Sequence, residues 1–171
     1  MKNRKWLWFL MAPAVWILDY FTKIWAMETL KVPRRSIELI AGYLDFSYAE
    51  NTGVAFGIFD SLESNLKPYL LAALGLVAVV AILIYYWKSP AGRRLLYIAL
   101  SVTTGGIVGN LTDRLLRGYV VDFIEVHIHD SFYWPNFNVA DSAITIGIIL
   151  LIIDSIMNPI EGKSSKDGEC V

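Results

Sequence analysis

Two aspartates, Asp122 and Asp141, are the side chains of this sequence best suited to catalysis. Two carboxyl groups a few ångströms apart can share one proton, so that one activates a water molecule while the other donates a proton to a peptide carbonyl. Such a pair titrates in two steps that belong to both groups. Asn138 is placed to cap a helix beginning just before Asp141, and the dipole of that helix favours an ionised Asp141. Asp141 is therefore the predicted base and Asp122 the predicted acid.

Four further polar side chains accompany this pair. Asp113 and Arg114 follow one another at the end of an apolar run, and Asn110 shares a helical stripe with both at spacings of three and four. Arg114 and Asn51 have the donors to hydrogen-bond a substrate backbone. Asp113 fits a structural charge network at a helix end better, and that role is also the alternative for Arg114.

Other chemistries find less support in the sequence. Glu125, His127 and His129 alternate along one segment and would share a strand face, which leaves Asp122 on the opposite face. We interpret that segment as a solvated outer strand and expect no metal site. The single cysteine, Cys170, stands beside the carboxyl terminus, far from every polar cluster, and is not expected to act as a nucleophile.

Membrane-spanning helices must position these groups. Of the 171 residues 18% are charged, against about 25% in a soluble domain, and the mean hydropathy is +0.48. Residues 69–87 carry no charge over a length that crosses a hydrocarbon core. The four predicted spans are 6–26, 69–87, 95–114 and 139–157. Asp19 and Lys23, one turn apart in the first span, predict an intrahelical ion pair. The net charge of −1 gives no indication of nucleic-acid binding.

Basic residues indicate the orientation of the spans, because dense Lys and Arg mark the cytoplasmic side of a membrane. They cluster before the first span and between the second and third, at Lys2, Arg4, Lys5, Lys88, Arg93 and Arg94. Both termini are therefore predicted to be cytoplasmic. The aspartates that gather at the outer side are then Asp19, Asp113, Asp122 and Asp141. Asp154 is predicted to face the inner headgroup layer.

The outer connections favour β structure. Residues 36–51 alternate aromatic and β-branched side chains with polar ones, residues 53–59 follow a turn-like Asn-Thr-Gly, and residues 119–129 predict another strand. The expected fold class is a membrane all-α protein with a small β element. Its predicted organisation is one domain over 1–158, with an outer β-cradle over about 27–67 and a second outer loop over about 115–138, then a disordered cytoplasmic tail over 159–171.

Four sequence blocks, in order, resemble bacterial lipoprotein signal peptidase. They are LDYFTKIWA (18–26), NTGVAFGIF (51–59), GNLTDRLLRGYVVDFIEV (109–126) and FNVADSAITIG (137–147). The resemblance implies a four-helix aspartyl peptidase of the inner membrane, with the β-cradle and second loop over its active site. It implies release of signal peptides from prolipoproteins by a cut before a cysteine that carries diacylglycerol. It also implies inhibition by the cyclic peptide globomycin and no metal or organic cofactor.

The resemblance extends to single residues. It implies catalytic roles for Asp122 and Asp141, and polar supporting roles for Asp19, Asn51, Asn110, Asp113, Arg114 and Asn138. Among the supporting residues, Asn51 and Arg114 are implied to contact the substrate. The family often has Gly-Ala-Ala-Phe-Ser after the asparagine, whereas this chain has Gly-Val-Ala-Phe-Gly, a departure that concerns substrate fit. The expected partners are a diacylglyceryl-modified prolipoprotein and membrane lipid, without nucleic acid, and the expected state is a monomer.

Two functions from other classes remain as alternatives. A small proton-coupled transporter would use the aspartates as a relay, but the sequence shows no inverted repeat and the acids gather at one edge of the membrane. A membrane scaffold without enzymatic activity would use the outer sheet as an interaction surface.

Overall fold

Four apolar helices and a small antiparallel sheet form the protein. The computed structural model describes residues 5–31, 35–53, 66–129 and 131–159. Its helices are α1 (Lys5–Phe9), α2 (Met11–Leu30), α3 (Lys67–Lys88), α4 (Arg94–Arg117) and α5 (Val139–Met157). Its strands are β1 (Ile37–Ile40), β2 (Leu44–Asn51), β3 (Val120–Ile128) and β4 (Phe132–Tyr133). Within these residues four segments are long and apolar enough to cross a membrane, α1 and α2 together making the first. The predicted fold class is confirmed, while the predictions for residues 54–59 and 160–171 fall outside the described residues.

Helix α4 is the centre of the bundle. In its most apolar stretch 67% of the residues are buried, against 11% to 22% in the other three spans. Small residues let its neighbours approach closely. A Cβ added at Gly105 would lie 2.5 Å from the backbone oxygen of Ala12 on α2, and one added at Gly106 would lie 2.5 Å from that of Ala140 on α5. Helices α2 and α5 therefore touch α4 backbone to backbone, as small residues permit in membrane proteins.

The sheet has the order β1-β2-β3-β4, with antiparallel neighbours throughout. The pairing of β2 with β3 shifts between Phe46 and Ala49, which adds a residue to β2. Side chains alternate along β3. Val121 and Phe123 are buried on one face in a cluster with Ala26 and Leu30 of α2. The cluster attaches the sheet to the end of α2 and turns Asp122 to the opposite face.

The prediction that Asp154 faces the inner headgroup layer is wrong. Its side chain is buried and forms an ion pair with Arg93, the residue before α4. The side-chain amide of Asn158 also donates to its carboxylate at 3.2 Å. Because α4 and α5 pack closely, the start of α4 lies beside the end of α5. The carboxylate of Asp154 is therefore paired with the guanidinium group of Arg93.

Substitution of Gly106 tests the close contact of α4 with α5. Gly106→Ala is expected to lower the melting temperature of the detergent-solubilised protein, because the new methyl group collides with the backbone of Ala140. Overpacking of this kind costs about 1–3 kcal/mol. Gly75→Ala is the matched control, because its Cβ would lie 3.6 Å from Ile107, an ordinary contact. Equal losses in both variants would contradict the backbone contact.

Candidate active site

Asp122 lies on β3 with its carboxyl group buried, 2% exposed. Two side-chain amides donate to it. The Nδ2 atom of Asn138 lies 2.7 Å from Oδ1, and the Nδ2 atom of Asn51, at the end of β2, lies 3.0 Å from Oδ2. Both carboxyl oxygens therefore have a donor, and the carboxyl group is held in a fixed orientation by a neighbouring strand and by the residue that precedes α5.

Asp141 lies in the first turn of α5 and is half-buried. Asn138 caps this helix, as predicted. Its side-chain oxygen accepts from the backbone nitrogen of Asp141 at 2.9 Å, while its own backbone nitrogen donates to Oδ2 of Asp141 at 3.3 Å. This reciprocal capping satisfies two amide groups of the first turn. The Nδ2 atom of Asn110 on α4 donates to Oδ1 of Asp141 at 2.7 Å.

Asn138 connects the two aspartates. Its side-chain nitrogen donates to Asp122. Its side-chain oxygen accepts from the backbone nitrogen of Asp141, and its backbone nitrogen donates to the carboxylate of Asp141. Both acids therefore contact one fully buried residue. The nitrogen also lies 3.2 Å from the side-chain oxygen of Asn110. The predicted orientation of the spans placed Asp122 and Asp141 on one side of the membrane, and in the structure both contact the same asparagine.

The pKa of Asp122 is raised to about 7. Burial is the main cause because it removes water from the carboxylate, and the charge of Asp141 raises the pKa further. The hydrogen bonds from Asn51 and Asn138 act in the opposite direction because they stabilise the ionised form. Asp122 can therefore hold a proton near neutral pH beside a second carboxyl group, an arrangement suited to general acid–base chemistry.

A buried lysine lies beneath this site. The Nζ atom of Lys23 is 2.8 Å from Asp19 on its own helix, 3.0 Å from Asp113 on α4 and 2.9 Å from the side-chain oxygen of Asn110. Lys23, Asp19 and Asp113 are each 1% exposed. The predicted Asp19–Lys23 pair is present, but the reach of Lys23 to α4 was missed. A lysine within a span needs more than one polar partner, and that requirement could have indicated the wider network.

Each carboxylate that Lys23 binds also holds the backbone beside an acid of the site. Asp19 accepts from the backbone nitrogen of Ala140, adjacent to Asp141, at 2.8 Å. Asp113 accepts from the backbone nitrogen of Val121, adjacent to Asp122, at 3.1 Å. The buried ion pairs therefore fix the chain at both aspartates.

Asp113 belongs to a charge network, as predicted, but its partners are Lys23 and Arg117 and not the adjacent Arg114. Neighbouring residues on a helix point in different directions, whereas Arg117 follows Asp113 by one turn. Arg114 is half-buried and donates to the backbone oxygen of Asn110 at 3.4 Å. Its guanidinium group is therefore left next to the site and apart from the Asp113 network.

The histidine-containing segment makes other contacts. Glu125 hydrogen-bonds with Ser47, and His127 stacks on Tyr133 at 5.2 Å between ring centroids, with Nε2 3.5 Å from Asp45. In the part of the chain that the structure describes, His, Cys, Asp and Glu side chains form no cluster of three or more that could hold a metal ion.

Comparison with known proteins identifies the family. A family model described as signal peptidase (SPase) II matches residues 11–157. The chain belongs to the signal peptidase II family. It is thus an aspartic peptidase and a multi-pass membrane protein, and the resemblance found in the sequence is confirmed.

Individual relatives support the same family assignment. The lipoprotein signal peptidase of Clostridium tetani is 40% identical over 137 residues, which cover 80% of this chain and 84% of that protein. The lipoprotein signal peptidase of Ectopseudomonas mendocina is 38% identical over 161 residues, which cover 94% and 92%. A solved structure of a bacterial membrane enzyme is similar with a TM-score of 0.76 and 31% identity, over 96% of this chain and 94% of that one.

Removal of the buried cation tests the network beneath the site. Lys23→Met is expected to lower the free energy of unfolding by about 3–5 kcal/mol. Asp19 would then be a buried carboxylate without a cation, and Asp113 would keep only its ion pair with Arg117. Equilibrium denaturation in mixed micelles measures the loss. The control is Lys31→Met, because the pair of Lys31 with Glu50 is 41% exposed on both sides and exposed ion pairs contribute little to stability. Similar losses in the two variants would show that Lys23 is not a buried structural cation.

Proposed function

We propose that the protein is an endopeptidase that removes signal peptides from diacylglyceryl-modified prolipoproteins, cutting before the lipid-bearing cysteine. Membership of the signal peptidase II family and the names of the relatives support this substrate class. The observation that carries the chemistry is the shared contact of Asp122 and Asp141 with Asn138. The opposed environments of the two acids, one buried and one half-buried, support a division of roles between them.

In the proposed reaction, Asp141 takes a proton from a water molecule while the water oxygen attacks the scissile carbonyl carbon. Asp122, protonated at the start, donates its proton to the carbonyl oxygen, so a neutral tetrahedral diol forms. Asp141 then returns a proton to the leaving nitrogen as the carbon–nitrogen bond breaks, and Asp122 recovers its proton from a hydroxyl of the diol. Asn51, Asn110 and Asn138 hold the two carboxyl groups in position by the hydrogen bonds described above.

Substrate contact is proposed for Arg114 and Asn51. Arg114 lies next to the site with donors outside the Asp113 network, and Asn51 ends β2 beside Asp122. A diacylglyceryl group anchored among the lipid-facing helices would hold the scissile bond at one depth. Such positioning converts a bimolecular encounter into a local one, which accounts for a large part of many enzymatic accelerations.

We further propose that the enzyme lies in the bacterial inner membrane with both termini cytoplasmic and the site at the outer face. Exposed Lys88 and Arg94, on the side opposite the site, support this orientation. Residues 1–158 would form one peptidase domain, followed by a cytoplasmic tail. The proposed enzyme acts as a monomer, without metal or organic cofactor, and binds globomycin-type cyclic peptides.

Substitution of either acid tests the reaction. With purified protein and a diacylglyceryl-modified prolipoprotein in detergent, Asp122→Asn and Asp141→Asn are each expected to slow signal-peptide release by about 100-fold or more, the contribution of a general acid or base. Release is followed on a gel. His127→Ala is expected to retain activity because His127 contacts Asp45 and Tyr133 and not the pair. Cys170→Ala is expected to retain activity because Cys170 belongs to the predicted cytoplasmic tail. Full turnover by either asparagine variant would remove the proposed dyad, and loss of activity on chelation would indicate a metal enzyme.

The pH dependence of kcat/KM tests the division of roles. An acid must be protonated, so kcat/KM is expected to fall as pH rises through about 7, the pKa of Asp122. Asn51→Ala removes a hydrogen bond that lowers this pKa, so the fall should move to higher pH. Asn136→Ala is the control, because its amide donates to Ser47 at 2.7 Å and not to Asp122. Activity that instead rises with pH through 7 would make Asp122 the base.

A further inference from the structure

The far end of the outer sheet exposes a set of large apolar side chains, here called the apolar sheet end. Its members are Ile40, Val126, Ile128, Phe132 and Trp134, which are 38% to 57% exposed. They come from β1, β3 and β4 and from the residue after β4. Large apolar patches on a protein surface mark sites that contact another protein or a membrane.

Strand pairing puts these side chains on one face. Ile40 pairs with Leu44, which pairs with Val126, and paired residues project to the same side. Ile128 pairs with Phe132. The backbone nitrogen of Trp134 donates to the oxygen of Val126 at 2.8 Å, which continues that register by one residue.

The same face carries Asp122. Residues 122, 124, 126 and 128 of β3 project to one side, and Val126 lies about 13 Å along the strand from Asp122 at 3.3 Å per residue. By the proposed function, on which this step depends, Asp122 meets a peptide that is anchored by acyl chains in the outer leaflet. The face that holds Asp122 is then directed at the membrane surface, and its apolar end is directed there too.

The sheet also stands close to the bilayer edge. Strand β3 begins three residues after α4 ends, and the ring of Trp25, near the end of α2, packs on Phe46 and Phe123 of the sheet. Trp25 and Phe21 are themselves 38% and 64% exposed on a spanning helix. Exposed apolar surface therefore continues from the lipid-facing side of α2 to the base of the sheet. Aromatic side chains are enriched at such membrane–water interfaces.

We infer that the apolar sheet end inserts into the headgroup and upper acyl region of the outer leaflet. The sheet is then held at the membrane at two places, by the α2 cluster at its base and by lipid at its far end. The lipid contact fixes the height of β3, and with it the height of Asp122, relative to a lipid-anchored peptide.

A spin label at Val126 tests this contact without any substrate. The label is attached to Val126→Cys in a Cys170→Ser background, in vesicles of phosphatidylethanolamine and phosphatidylglycerol. Its collisions with oxygen and with a water-soluble nickel chelate are compared. We expect oxygen to be favoured at Val126. The control is Tyr133→Cys, because exposed Tyr133 pairs with His127 and projects to the opposite face, where nickel should be favoured.

Removal of the aromatic contacts provides a second measurement. The paired substitutions Phe132→Ser and Trp134→Ser are expected to shift the Val126 label towards nickel, and to slow prolipoprotein cleavage in vesicles more than in detergent. Nickel access at Val126 equal to that at Tyr133 would overturn the inference. So would spin–spin broadening between labels on separate chains, because a second copy would then cover the surface. The accessibility of the Val126 label is measured without enzymatic turnover. A protein that does not cleave prolipoprotein, but whose Val126 label favours oxygen, would therefore contradict only the proposed function.

Discussion

A lysine buried between two carboxylates is the interaction on which the site depends. Lys23 would be costly inside a membrane domain without partners, and it binds Asp19 and Asp113 on separate helices. These two acids reach onward to the backbone amides of Ala140 and Val121. One cation therefore orders the start of a helix and the start of a strand at once. The acids that do the proposed chemistry are the next residues along each.

The site combines rigid support with unequal environments. Asn138 is both the cap of α5 and a hydrogen-bond donor to Asp122, so the residue that starts the helix of one acid also orients the other acid. Burial raises the pKa of Asp122, while Asp141 stays half-buried. Two carboxyl groups of the same kind thereby lie in different environments, which is the usual basis for assigning acid and base roles.

Much of this arrangement could be predicted from the sequence. Apolar runs indicated four spans, and the orientation inferred from basic residues placed Asp122 and Asp141 on the same side of the membrane. The local Asp19–Lys23 pair was predicted because it depends on helical periodicity alone. The partners of Asp113 and the burial of Asp154 against Arg93 depend on which helices pack together. Hydropathy does not specify that packing. The bulge in β2 was also not predicted, because strand register depends on pairing across the sheet.

The glycine contacts of α4 have a consequence for how the enzyme tolerates its surroundings. Helices α2 and α5 meet α4 at the level of the backbone, so they cannot tilt independently without separating the groups that hold the two acids. Helix α3 lies at the periphery, since 11% of the residues in its most apolar stretch are buried. When bilayer thickness differs from the hydrophobic length of the protein, tilting is the common adjustment. We expect α3 to make that adjustment first, which would leave the groups that hold the two acids less affected by hydrophobic mismatch.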